Sequence, residues 1–222
     1  MKTENPFKVY EQLFLTPKLF FKAVAKETDA VTIAVFVGLF LFAGKVFELA
    51  AWIPTLAIHS DAAYLPTIML SVLGSLVSPL LTLLATLFVA CLVHLGVSYY
   101  KKGTSFFSTW KVLVYATLIP IVYSVSMAVV QTIAESVNPW PDQSLLAASP
   151  VWGPYSLLIS GLLFLVVLVT IIHTIYTEAV GLKEYHKLTT AQALVAIIVP
   201  LLILILFVLL LLVLFGSFFM LA

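Results

Sequence analysis

Apolar residues run along this chain in long blocks separated by short polar breaks. A helix needs about 20 consecutive apolar residues, at about 1.5 Å of rise each, to cross the hydrocarbon of a bilayer. Five blocks meet that length: Val31–Ile53, which stops before Pro54; Pro79–Tyr99, with a helical lead-in from Pro66; Val112–Ile133; Tyr155–Tyr176; and Ala193–Leu221. The last is long enough to tilt, and Pro200 predicts a kink in it. The pattern therefore predicts an all-α fold. Residues 30–222 form a polytopic bundle of five transmembrane helices, and residues 1–29 an amphipathic N-terminal segment.

That segment reads as two short helices, because Asn5-Pro6 and Thr16-Pro17 each pair an N-cap residue with proline at the first helical position. Phe7, Tyr10, Leu13 and Phe14 form an apolar face on the first. On the second, Lys18, Lys22 and Lys26 share one stripe and Leu19, Phe20, Ala23 and Val24 the opposite one. Such helices lie among headgroups, where anionic lipid contributes about 1 kcal/mol per lysine, or dock on the ends of the spans. The segment does not read as a signal peptide, since Glu4, Glu11, Glu27 and Asp29 stand where a basic start should lead into an apolar core.

Composition agrees with the blocks. Of 222 residues 63% are hydrophobic and 9% charged, against about 25% charged in soluble domains. A net charge of +1 gives no field to recruit nucleic acid. The one cysteine, Cys91, cannot close an internal disulfide. All the basic residues are lysine, which argues against a site built on bidentate guanidinium contacts.

Lysine placement sets an orientation. Lys2, Lys8, Lys18, Lys22 and Lys26 precede the first span; Lys101, Lys102 and Lys111 fall between the second and third; Lys183 and Lys187 fall between the fourth and fifth. The connectors 54–66 and 135–154 contain none. The positive-inside rule then predicts a cytosolic N-terminus and an outside C-terminus.

Polar residues inside the spans are the candidate chemistry, because each is costly in hydrocarbon. Lys45 and Glu48 are three apart on the first span and share a face, so they can pair, or the lysine can snorkel to headgroups. His94 and His173 lie at similar depths in the second and fourth spans, with Glu178 at the mouth. If those spans touched, the three could relay protons or hold a metal. Yet His173 and Glu178 are five apart, on different helix faces, and Cys91 with His94 is a lone pair. The favoured reading is histidines hydrogen-bonded to neighbouring helices, with no metal and no cofactor. Gln131 and the small pairs Ala34/Gly38, Gly74/Ser78 and Ser156/Ser160 suit interhelical contacts. No nucleophile elbow or phosphate loop is present, so no enzyme is expected.

Between the second and third spans, Tyr99, Tyr100, Lys101 and Lys102 make an interfacial end. Gly103 permits a turn, Thr104 or Ser105 can cap the next helix, and Phe106, Phe107 and Trp110 anchor at headgroup depth. This order of residues, His94, Gly103, Phe106, Tyr115-Ala116 and Pro120, resembles the Yip family of Ypt-interacting membrane proteins. So does Gly181-Leu182-Lys183-Glu184-Tyr185-His186-Lys187-Leu188-Thr189 ahead of Ala193 and Pro200, and the Asn5-Pro6-Phe7 and Thr16-Pro17 openings are similar to those of prokaryotic members.

The resemblance implies five helices with a cytosolic N-terminus, and for a prokaryotic member a place in the cell membrane. Eukaryotic relatives are associated with Rab-type GTPases through a longer N-terminal region bearing an aromatic-glycine-proline motif. Residues 1–29 lack that motif, so the resemblance does not carry a GTPase partner over to this chain. The expected role is non-enzymatic: organising membrane lipid or protein partners through the cytosolic face. Lys18, Lys22, Lys26, Lys101, Lys102 and Trp110 would stand at the lipid interface, and self-association is compatible with this. The alternative is a small transporter or lipid-handling protein with a polar site between the second and fourth spans.

Overall fold

The computed structural model describes the backbone of residues 6–58, 65–137 and 152–221. The expectations for Asn5, and for the side chains of Phe7, Tyr10, Gln131, Ser156 and Ser160, lie outside the described residues. The described chain is α-helical: α1 (Pro6–Leu15), α2 (Pro17–Ala23) with a 3-10 turn Val24–Lys26, α3 (Ala30–Ile58), α4 (Leu65–Tyr100), α5 (Phe106–Ala116), α6 (Leu118–Val137), α7 (Trp152–His186) and α8 (Thr190–Leu221). Five stretches are long and apolar enough to span a bilayer: Ala30–Ala50, Val72–Tyr100, Phe106–Val130, Gly161–His186 and Thr190–Leu211. In the last, mean hydropathy is 3.6 but only 11% of the stretch is buried. Most of that stretch therefore suits lipid against it.

Prolines shape the helices more than the apolar pattern suggested. The third span is two helices with a break at Thr117. Pro120 explains the break: its ring clashes with the carbonyl of Ala116 and it has no N–H to donate to it, so α6 restarts with the proline in its first turn. Pro79 instead sits inside α4. Proline there leaves the Ser75 carbonyl without its backbone donor, and the Ser78 hydroxyl donates to that oxygen at 3.3 Å. Pro54 does not end the helix, since α3 continues to Ile58. The fourth span also runs on, ten residues beyond Tyr176 to His186, so Glu178 lies within α7 and not after it.

Two connections are built by local chemistry. After α4, Gly103 takes φ +74°, a left-handed backbone that suits glycine. After α7, Lys187 takes φ 58°. Thr189 then opens α8 with a capping box, in which the Gln192 N–H donates to Thr189 Oγ1 at 3.3 Å and the Thr189 N–H to Gln192 Oε1 at 3.0 Å.

The chain divides into two compact units. The first comprises Met1–Ala30, Leu84–Ala116 and Ile175–Ala222; the second comprises Val31–Leu83 and Thr117–Thr174. In the first, the core gathers Leu13, Phe20, Phe21 and Val24 with Val93, Val97, Val112, Tyr115, Leu182 and Ile197. Phe20 packs edge-on to Tyr115 at 5.1 Å, and Phe21 edge-on to Tyr185 at 5.7 Å. The N-terminal helices thus dock by Phe20, Phe21 and Val24. The expected stripe is corrected at Leu19 and Ala23, which are exposed. Docking selected the face two aromatic rings could fill.

Close helix approaches also differ from the small-residue spacing. A Cβ on Gly74 would meet nothing within 4 Å, and one on Gly38 would make ordinary contact with Leu83. The tight positions are Gly96 in the first unit, where a Cβ would lie 2.9 Å from the Ala196 backbone, and Gly181, where it would lie 2.6 Å from Val112 and 2.8 Å from Phe21. In the second unit it is Gly44, 2.5 Å from the Ile121 side chain. A four-residue spacing marks a face but not which face meets a neighbour.

Candidate functional site

The first unit holds two polar clusters. One is centred on Lys111, which the lysine count had placed in a connector but which is buried in α5 at 3% exposure. Its ammonium has three donors. They go to the carbonyls of Val24 at 2.7 Å, Ala25 at 3.3 Å and Glu27 at 2.6 Å. Those carbonyls belong to the end of α2 and its 3-10 turn, where backbone acceptors lack helical partners and the dipole favours a cation. The Tyr115 hydroxyl donates to the Glu27 carboxylate. Lys111 also stands 5.2 Å from the Tyr185 ring centre and 5.8 Å from that of Phe107. Lys111 and Tyr115, four apart on α5, therefore clasp the N-terminal helices. Sequence reading missed this role. The available signal was a lone lysine flanked by aromatics at the start of an apolar block.

The second cluster joins two histidines through one hydroxyl. His94 Nδ1 lies 3.0 Å from Thr109 Oγ1, and His186 Nε2 lies 3.0 Å from the same oxygen. Thr109 has a single hydroxyl hydrogen. It donates to one ring and must accept from the other, so the two tautomers are complementary. The Phe106 ring packs edge-on to His94 at 5.5 Å. Nothing in the sequence pattern marks His186 as a partner of His94. Its position as the last residue of α7 follows from the capped turn after it.

The second unit holds the remaining candidates. Lys45 and Glu48 form an ion pair at 2.5 Å, and Ser124 on α6 donates to the other Glu48 oxygen at 2.6 Å. The pair lines a cleft of about 450 Å³ with Tyr123, Ser124 and Thr170. His173 Nδ1 lies 3.2 Å from the Tyr123 hydroxyl. His94 and His173 thus each meet a hydroxyl within their own unit. Glu178 is half-buried in the first unit. Among the described residues no group of three His, Cys, Asp or Glu side chains could hold a metal ion.

The interfacial lysines Lys18, Lys22, Lys26, Lys101 and Lys102 are exposed in the first unit, and Trp110 is half-buried beside Phe107, their ring centres 5.7 Å apart. Glu184 joins two elements of that surface, standing 3.9 Å from Lys22 and 4.0 Å from Lys187.

No curated protein and no solved structure matches the chain. A family model does: the Yip1 domain matches residues 12–212, from within α1 through the apolar core of α8. The chain is an integral membrane protein and belongs to the Yip1 domain family.

Proposed function

We propose that this protein is a non-enzymatic organiser of membrane lipid, working through a cytosolic face formed by its first unit, with its N-terminus inside. One observation carries the reading. The lysine-bearing helix α2 is held in place by the Lys111 clasp, while Lys18, Lys22 and Lys26 stay exposed. A stripe fixed in this way meets anionic headgroups without the ordering penalty a free helix would incur. Lys101, Lys102, Lys183 and Lys187 of the same unit are exposed too, and lysines so gathered support an inner placement of this face by the positive-inside rule. Attraction of about 1 kcal/mol per lysine makes the effect of this stripe measurable.

The test uses the full-length protein purified in neutral detergent with mixed anionic and zwitterionic lipid. The wild type is expected to retain anionic lipid at least about ten-fold better than Lys18→Glu/Lys22→Glu/Lys26→Glu, with the difference shrinking at high salt. Equal retention at low salt would overturn the reading. Small-molecule transport is the second reading, and what favours it is the cleft of the second unit, where Lys45, Glu48, Ser124 and Thr170 line a mainly apolar space between the first, third and fourth spans, and not the second and fourth as expected. Solute flux into proteoliposomes, lost on substitution in that cleft, would decide for it.

A further inference from the structure

We propose that the cleft of the second unit binds the headgroup of a phosphatidylethanolamine-type lipid, with its phosphate on Lys45 and its primary ammonium on Glu48. The site goes beyond the cationic face of the first unit and does not depend on it.

The starting point is where the ion pair sits. Lys45 and Glu48 belong to the first spanning stretch, Ala30–Ala50. Their side chains are 36% and 22% exposed. A pair sealed in protein would need nothing more. A pair partly open within a spanning stretch faces hydrocarbon unless a polar group lies over it, and the donors and lone pairs it leaves unused are costly there. Replacing a buried ion pair by apolar residues is often neutral or stabilising, so stability alone gives little reason for this one.

The cleft supplies the rest of an amphiphile's site. Its volume of about 450 Å³ lies in the range of about 300–1,000 Å³ typical of small-ligand sites. One wall carries Leu163, Val167 and Ile171, four residues apart on α7 and all exposed. That apolar stripe suits an acyl chain. The ion pair and Ser124 line the same cleft.

The polar inventory selects the headgroup. Lys45 has three donors, of which one goes to Glu48 among the described residues. Glu48 accepts from Lys45 and Ser124 and retains further lone pairs. The pair is a neutral dipole. A zwitterionic headgroup laid over it head-to-tail satisfies both ends, whereas an anionic headgroup would leave a net charge in the cleft. A primary ammonium can donate to the carboxylate. A quaternary one cannot, and it is usually held by an aromatic cage, whereas among the described residues Tyr123 is the one aromatic lining this cleft.

The experiment is native mass spectrometry of the full-length, delipidated protein offered equal amounts of phosphatidylethanolamine, phosphatidylcholine and phosphatidylglycerol. The wild type is expected to bind the first at least about ten-fold more tightly than the second, because charge-assisted hydrogen bonds to Glu48 are available only to the primary ammonium. Lys45→Met/Glu48→Leu should abolish that preference, and Lys18→Glu/Lys22→Glu/Lys26→Glu should keep it. A second measurement needs only wild-type protein: phosphatidylethanolamine with a photoreactive acyl chain should crosslink mainly to residues 163–171. Loss of the preference in wild type, its survival in the double variant, or crosslinks spread evenly over α4 and α8 would each overturn the assignment.

Discussion

Lys111 in the first unit and Lys45 in the second both lie within spanning stretches, yet they are used differently. Lys111 spends all three donors on backbone carbonyls and is closed off by aromatic rings. Lys45 is matched to one carboxylate and remains partly open to a cleft. The first arrangement ties together segments more than eighty residues apart in the chain. The second is settled between neighbours on one helix and leaves capacity for a ligand. A charge in an apolar helix therefore marks either a joint or a site, and what distinguishes them is whether its donors are already used.

Removing each lysine should break the comparison most clearly. Lys111→Met strands buried carbonyls and frees the docked helices, and should destabilise by about 3 kcal/mol or more. Thermal unfolding in detergent should show the drop, and protease should cut between α2 and α3 at lower dose. Lys45→Met/Glu48→Leu removes both partners together and should change stability by about 1 kcal/mol or less, in either direction. Similar losses for the two variants would erase the distinction.

A smaller contrast concerns hydroxyls. Thr109→Val leaves two imidazoles without their shared partner and should cost about 2 kcal/mol. Ser124→Ala leaves Glu48 with Lys45 and should cost about 1 kcal/mol or less. The order of their unfolding midpoints is the measurement.

The smallest effects concern glycines. Gly96→Ala pushes a methyl group against the Ala196 backbone, which cannot rotate away, and should cost about 1–3 kcal/mol. Gly44→Ala meets side-chain atoms, nearest the γ2 methyl of Ile121, which a rotamer change or small helix shift can relieve, and should cost less. Gly74→Ala meets open space and should gain up to about 1 kcal/mol from helix propensity. Matched unfolding curves of the three variants would show whether the first unit is the more tightly packed.

Sequence alone determined whatever depends on neighbours along the chain. Transfer of apolar side chains from water fixed the five spans, the demand for positive φ fixed the turn at Gly103, and helical periodicity made Lys45 and Glu48 partners. Only the tertiary structure decided what depends on which helices meet. Lys111 looked like a surface lysine because its partners are carbonyls, which every residue has and no sequence pattern marks. Leu19 and Phe21 are both apolar, and the rings of Tyr115 and Tyr185 decided that Phe20 and Phe21 would be the ones buried. His94 found His186 because Thr109 arrived between them from another helix. Apolar transfer energy is a sum over single residues and can be read from composition. A hydrogen bond needs two groups within about 3 Å, and for groups far apart in sequence only the packed fold brings them that close.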